Sequence, residues 1–270
     1  MTTRPPAASP GRPAPQGPEV NYSDDGVMRH LHLGTPWIQG SMWCERPDEL
    51  ALEYVQRMMA WLLFLPAPKV AGLHAMQLGL GAGAATKFCF KKLRMRTTAI
   101  ELNAQVLQAC RLWFKLPAPC QRLQIVLADA AQEIRQARHL GTVDALQVDL
   151  YDHEAAAPVL DSADFYADCR RLLTEEGAMT VNLFGRRASL ERSLAHMAAA
   201  FGESAIWVFR PTREGNTVVL ALREPQRPER SLLVQRAQAI ESRWGLPAPK
   251  WLRLLQAPAS LPSPPGAGRD

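Results

Sequence analysis

From residue 74 onward, segments with strand character alternate with segments at helical spacing, and that alternation admits few folds. Strands read at 74–79, 96–101, 123–128, 143–149 and 178–184, with helices between them near 84–93, 103–115, 130–139 and 162–175. Parallel strands cannot be joined by tight turns, so each needs a helical crossover. Five βα units in this space predict an α/β fold, a doubly wound Rossmann-like sheet with helices on its faces. A helix near 188–201 then leads to Ala205–Arg210 and Thr217–Leu222, joined across Arg213-Glu214-Gly215-Asn216. That pairing predicts a C-terminal hairpin and an antiparallel last strand.

The segment before this core is shorter and differently patterned. Residues 28–44 hold two partly alternating stretches around Gly34-Thr35-Pro36, which predicts a short N-terminal β-hairpin. Asp48 and Glu49 follow Pro47, and Leu50, Tyr54, Met58, Trp61 and Leu62 recur at helical spacing until Pro66 ends the pattern. Of the 22 prolines, six lie in residues 1–27 and eight in 225–270, so both ends read as flexible arms apart from a helix at 231–244. The division is therefore a disordered Pro-rich tail (1–27), a hairpin and helix (28–72), a nucleoside-binding catalytic domain (73–224), and a basic C-terminal helix with a Pro-rich tail (225–270).

Charge and cysteine usage narrow the partners. The net charge is +5, but residues 225–270 carry seven Lys or Arg against three Asp or Glu, which leaves the predicted core close to neutral. No nucleic-acid partner is expected of such a core. The longest apolar run, Met58 to Pro68, is too short to span a bilayer, and the first 18 residues lack the apolar stretch of a secretory signal. Cys44, Cys89, Cys110, Cys120 and Cys169 stand singly, without a CxxC pair or a histidine at zinc-ligand spacing. Reduced thiols in a cytoplasm, no membrane partner and no metal site are the expectation.

The residues that bear chemistry fall at the carboxyl ends of the predicted strands, where open α/β sheets bind ligands. The first strand runs into Gly79-Leu80-Gly81-Ala82-Gly83, a turn that lets a nucleoside approach the backbone beside a helix N-terminus. The same letters fit a dinucleotide fingerprint, and a glycine turn without a ligand is the plain alternative. Glu101 ends the second strand, where a carboxylate accepts from both ribose hydroxyls in either kind of site; it equally suits a helix N-terminus. Asp129-Ala130 ends the third strand, and Asp129 is placed either to accept from an adenine amine or to cap the next helix.

Asp149 ends the fourth strand, with Asp152 about a turn further on. Paired carboxylates there can hold a cationic amine, and one can take its proton as the nitrogen attacks a carbon beside a sulfonium. The plain reading is a solvated loop with capping aspartates. His153 reads as an incidental loop histidine. Tyr54, Gln56 and Trp37-Ile38-Gln39 are candidates to line the pocket, though their apolar neighbours favour core packing.

Taken together, the β-rich lead, the helix before strand one, the loop Gly79–Gly83, Glu101, Asp129-Ala130 and Asp149-Leu150-Tyr151-Asp152 resemble spermidine synthase and its bacterial relatives, the polyamine aminopropyltransferases. The resemblance covers roughly residues 28–224. It implies a transferase of the adenosylmethionine-dependent variety, which the terminal hairpin also suits. The implied co-substrate is decarboxylated S-adenosylmethionine, or S-adenosylmethionine itself, with no prosthetic group. An amine of a polyamine such as putrescine then displaces methylthioadenosine. By motif position Gly79, with Gly81 and Gly83, lines the donor site, Glu101 binds ribose, and Asp129-Ala130 meets adenine. Asp149 is the base for the amine, with Asp152 in support. The implied partner is a small-molecule amine, and a homodimer is a candidate assembly.

The chain departs from that family at three places. The family's glycine loop carries an aspartate that pairs with the aminopropyl ammonium of the donor, where this sequence has Ala82. A Pro-x-Gly-Pro lid segment is replaced by His153-Glu154-Ala155-Ala156-Ala157-Pro158, and the β-rich lead is confined to 28–44. Ala82 motivates a rival reading, an S-adenosylmethionine-dependent methyltransferase. The altered loop and lid together motivate another, a non-catalytic nucleoside-binding homologue. A NAD-dependent dehydrogenase is least favoured, because nothing supplies a hydride-transfer partner. The leading expectation is an aminopropyltransferase whose pocket is lined with acids, the polarity that suits a cationic polyamine.

Overall fold

The computed structural model describes residues 19–151, 160–185 and 187–256. A three-stranded antiparallel sheet comes first, built from β1 (Val20–Asp24), β2 (Met28–Leu33) and β3 (Gly40–Trp43) in that order. Its first strand falls within the segment read as a disordered tail, so the lead is a sheet rather than a hairpin. Four of the five β1 side chains are exposed, which leaves no apolar alternation to read. What fixes the strand is its ladder to β2, from Val20↔Leu33 to Asp24↔Arg29.

The helix expected between Pro47 and Pro66 is broken into an α-helical turn at Glu53–Arg57 and a 3-10 segment at Ala60–Phe64. The Met58 carbonyl accepts from Thr180 Oγ1 at 2.9 Å, and the Leu62 amide turns to Met59 O. The helical ladder is thus interrupted where it docks on the sheet, and all of residues 60–65 are buried.

The main sheet contains β4 (His74–Leu78), β5 (Arg96–Glu101), β6 (Leu123–Leu127), β7 (Val143–Val148), β8 (Leu173–Leu183), β9 (Ile206–Phe209), β10 (Thr217–Leu222) and β11 (Leu255–Gln256). Their spatial order is β6-β5-β4-β7-β8-β10-β9-β11. Strands β4 to β8 are parallel, and β10 runs antiparallel to both β8 and β9. This is the doubly wound fold expected, with its antiparallel strand inserted before the last pair. The connection at 210–216 is a loop closed by Thr212 N to Asn216 O at 2.7 Å, not a two-residue turn. The chain leaves β4 in one direction and returns through β7 in the other, so the carboxyl ends of β4 and β7 meet at the switch point, where such sheets form a crevice.

Alternation along β4 feeds a core on each face. Ala75 packs with Trp61 and Phe88 on one side, and Met76 and Leu78 pack with Phe165 and Met197 on the other. The C-terminal segment belongs to the first of these. It forms helices at Arg230–Trp244 and Ala248–Leu254, buries Ile240 and Trp251 against the Ala60–Phe64 layer, and adds β11 to β9 through Leu255↔Phe209. The expected flexible arm is therefore docked as far as residue 256. Proline lies in the first turn of the second helix, where its missing N–H costs nothing. Among the described residues no helix is long and apolar enough to cross a membrane. All five cysteines are free, and Cys89, Cys110 and Cys169 are buried.

Candidate functional site

The glycine turn after β4 and the tip of β7 are held in direct contact. Gly79 has φ +91°, and a Cβ placed on it lies 2.2 Å from the Asp149 carbonyl oxygen. Glycine is required here on both counts. Gly79 N donates to Ile100 O and Asp149 N donates to Leu78 O, each at 2.9 Å, so β5, β4 and β7 fix the loop together. Gly81 and Gly83 carry the turn into the helix Ala84–Lys87. Strand β3 lies across it: a Cβ on Gly40 falls 2.6 Å from Ala82 N, and Ala82 is buried.

Glu101 ties the loop to the neighbouring strand. Its Oε2 accepts from Leu80 N at 2.9 Å and its Oε1 from Asn103 N at 2.8 Å. Burial pushes its carboxyl above the usual range, and these backbone N–H groups oppose the shift. The helix that follows, Ala104–Trp113, is anchored at its far end by two cations, Arg29 on Trp113 O and Lys87 Nζ on Phe114 O, both at 2.7 Å. Beside the carboxylate, Leu102 and Leu127 are 72% and 51% exposed and form an apolar flank. Asp129 stands beyond them and caps the helix Ala130–Glu133, its Oδ1 accepting from Ala131 N at 2.7 Å, while Ala130 is buried. A carboxylate with an apolar shelf beside it suits the ribose and base of a nucleoside. Glu101→Gln is expected to weaken nucleoside binding roughly tenfold in calorimetric titration, since one oxygen that accepts from an N–H becomes a donor.

Asp149 is the most constrained side chain of the site. Tyr54 Oη donates to its Oδ2 at 3.1 Å, and Asn182 Nδ2 donates to its Oδ1 at 2.9 Å. Asn182 is oriented in turn by Asn216 Nδ2, which donates to its Oδ1 at 3.1 Å, and Tyr151 Oη donates to the Asn182 carbonyl at 2.9 Å. The N-terminal helical turn, β8 and the loop before β10 all converge on one carboxylate. Burial raises its pKa to about 6 against the pull of the two donors. Tyr54 is pushed well up by burial and by the charge of Asp149, so it stays a phenol and a donor. The carboxylate is thus oriented by donors and poised to take a proton near neutrality.

A cavity beneath the glycine loop separates the main sheet from β3 and the helical turn, with Ser41, Tyr54, Met58, Gln77, Gln147 and Asp149 among its walls. Among the described residues Asp149 is the one carboxylate in its walls, where it stands beside the amides of Gln39, Gln77 and Gln147. Tyr54 lines it, as do Gln39 and Gly40, whereas Gln56 donates to Leu50 O at 2.9 Å and serves local structure. Asp152 and His153 lie outside the described residues. Sequence reasoning did not single out Gln77, Gln147 and Asn182. Their signal was available: each is a polar residue near the carboxyl end of its strand, with an apolar residue on either side.

A scan against protein-family models gives no match. Sequence comparison finds a polyamine aminopropyltransferase of Neisseria meningitidis serogroup A / serotype 4A, 33% identical over 250 residues that span 91% of this chain and 92% of the relative. Among solved structures, the fold is similar to that of a probable spermidine synthase from Corynebacterium glutamicum, with a TM-score of 0.68 at 18% identity, covering 91% of this chain and 93% of that one. It is also similar to human methyltransferase-like protein 13 in complex with SAH, with a TM-score of 0.65 at 24% identity over 72% of this chain and 93% of that one. At these identities the two structural likenesses concern the fold.

Proposed function

The chain belongs to the polyamine aminopropyltransferase family and is a transferase, and from that premise we propose that it moves an aminopropyl group from decarboxylated S-adenosylmethionine to a primary alkylamine of the putrescine class, with Asp149 as general base. The observation that carries this reading is the carboxylate at the switch point, raised to about 6 by burial and oriented by Tyr54 and Asn182. The neutral amine nitrogen attacks the aminopropyl carbon next to the sulfonium. The carbon–sulfur bond breaks, its electron pair leaves with methylthioadenosine as a neutral thioether, and the surplus proton on nitrogen passes to Asp149. Holding both reactants in one crevice and stripping water from the amine supply much of the acceleration.

In the same reading Gly79, Gly81 and Gly83 let the donor approach the backbone. Glu101 holds ribose, and Asp129 with Ala130 meets the base above the Leu102 and Leu127 flank. Asp152 supports Asp149. A cytoplasmic place fits the five free cysteines. The test is calorimetric titration with decarboxylated S-adenosylmethionine, S-adenosylmethionine and methylthioadenosine, followed by mass analysis of products from a panel of amines. Tighter binding of the decarboxylated donor and an aminopropylated product are expected.

One observation favours a second reading. Ala82 is buried under Gly40, so no carboxylate at that point of the loop meets the ammonium of an aminopropyl donor. If S-adenosylmethionine binds more tightly and a methyl group is transferred, the protein is a methyltransferase on the same fold. Nucleoside binding without any product identifies a non-catalytic homologue.

A further inference from the structure

The two donors that orient Asp149 come from separate elements, and both are steadied by one loop, residues 210–216 between β9 and β10. Asn182 is the first donor. An ionised carboxylate can only accept, so Asn182 turns its Nδ2 to Asp149 and its Oδ1 away, where that oxygen needs a donor of its own. Asn216 supplies it, Nδ2 to Oδ1 at 3.1 Å. Strand register sets the reach. Val218 stands opposite Asn182, which makes Asn216 the diagonal neighbour across the pair.

Tyr54 is the second donor. It sits on a helical turn of five residues, too short to hold its shape alone. Arg57 of that turn is buried. It donates from Nε and Nη2 to Glu53 Oε1, lies over the Phe209 ring, and donates from Nη1 to the carbonyl of Arg210, the first residue of the loop. The loop is itself clasped at several points: Arg210 N donates to Leu254 O at 3.0 Å, Thr212 N to Asn216 O at 2.7 Å, Gly215 N to Thr212 O at 3.1 Å, and Asn216 N to Thr212 Oγ1 at 3.2 Å. Its first residue therefore steadies the turn of Tyr54, and its last steadies Asn182.

We propose that the 210–216 loop is the positioning element of the site, with Asn216 holding the Asn182 amide against Asp149 and the Arg210 carbonyl holding, through Arg57, the turn that carries Tyr54. The inference rests on the reading of Asp149 as base and adds what fixes its geometry. A carboxylate that keeps its donors binds a proton less tightly than one that has lost a donor. The titratable groups facing Asp149 are Tyr54 from the turn and Tyr151 from the segment after β7, both held as phenols by burial. The glycine loop and the carboxyl ends of β4 and β8 present none, and Arg210, Arg213 and Glu214 of the 210–216 loop are exposed. Truncating Asn216 changes none of these charges, so its effect on Asp149 passes through Asn182.

The experiment follows the Asp149 carboxyl carbon by NMR in the full chain, identified by its absence in Asp149→Asn, and sets it beside the pH profile of kcat. The wild type should titrate near 6. Asn216→Ala should raise that midpoint by roughly half a pH unit and lower kcat roughly threefold, with KM little changed. Added to Asn182→Ala it should have no further effect, since the amide it holds is gone. Arg57→Met should likewise raise the midpoint in the wild type and leave it in place in Tyr54→Phe. A loop that served stability alone would lower the melting temperature of these variants without moving the midpoint. An unmoved midpoint in Asn216→Ala, or the same increment in the double variant, overturns the inference and leaves Asp149 as base. If the variants at buried Asn182 or Arg57 do not fold, Asn216→Ala decides alone. A midpoint that moves as stated while the pH profile lacks a matching inflection upholds the loop's hold on Asp149 and overturns the reading of Asp149 as base.

Discussion

Asp149→Asn is expected to lower kcat by at least about a hundredfold, the scale of a lost general base, while nucleoside affinity in calorimetric titration stays near the wild-type value. The reason is the division of labour in the site. The donor is held across the glycine loop by Glu101 and its flank, whereas Asp149 faces the cavity under Tyr54 and Asn182. Asparagine fills the same volume and the Tyr54 hydroxyl can turn to accept from it, so the fold is retained and only proton transfer is removed. The wild-type pH profile should fall on the acid side with an inflection near 6, the value set by burial, and rise further as the acceptor amine loses its own proton. The variant should lose the inflection near 6. Retained turnover, with the inflection still present, assigns the base elsewhere.

The same substitution has a stability consequence of opposite sign. Folded Asp149 keeps its proton up to about pH 6, whereas the ordinary value of an aspartate is 3.8. Its favourable share in folding is therefore complete below the unfolded value and is lost as pH rises through about 6. At pH 8 the buried charge opposes folding, so Asp149→Asn should melt at a higher temperature than the wild type. The gain should shrink as pH falls toward 4. A carboxylate kept at the expense of stability is what a catalytic use predicts.

The second large effect is on folding. Gly79→Ala is expected to destabilise the protein by at least about 3 kcal/mol, combining a side chain at strongly positive φ with a backbone clash. The new Cβ meets the Asp149 carbonyl oxygen at 2.2 Å, and neither partner is the free end of a flexible chain. Relief requires β4 and β7 to part at their carboxyl ends. Thermal and urea denaturation measure the loss, and what folds at low temperature should have lost both nucleoside binding and transfer, because Gly79 and Asp149 move as one. A melting temperature within a degree or two of wild type removes Gly79 from its proposed place at the contact of the two strand tips.

How far the sequence could be read follows from the range of the interactions involved. The parallel strands, their crossover helices and the glycine turn each carry a local pattern, namely apolar runs of strand length, 3.6-residue spacing and residues that tolerate positive φ. Glu101, Asp129 and Asp149 were found because strand ends in such sheets point to one crevice. The β1 strand escaped because four of its five side chains are exposed and its specification is the ladder to β2 and contacts such as Tyr22 on Trp113, all remote from its own pattern. The C-terminal segment read as an arm because prolines that begin a helix look, in composition alone, like prolines of a disordered tail.

The chemistry of the pocket was less local still. Tyr54 and Asp149 are 95 residues apart in the chain, and Asn182 and Asp149 are 33 apart. Gln77 and Gln147 meet only because the chain reverses its winding between β4 and β7. By itself, the sequence determined the kind of fold, the place of the crevice and the acids at its strand tips, since these depend on periodicities and residue types within a few positions of one another. Only the tertiary structure decided which donors orient Asp149, that burial raises its carboxyl to about 6, and that the amides of Gln77 and Gln147 share its cavity, because burial and hydrogen bonding across distant strands have no signature along the chain.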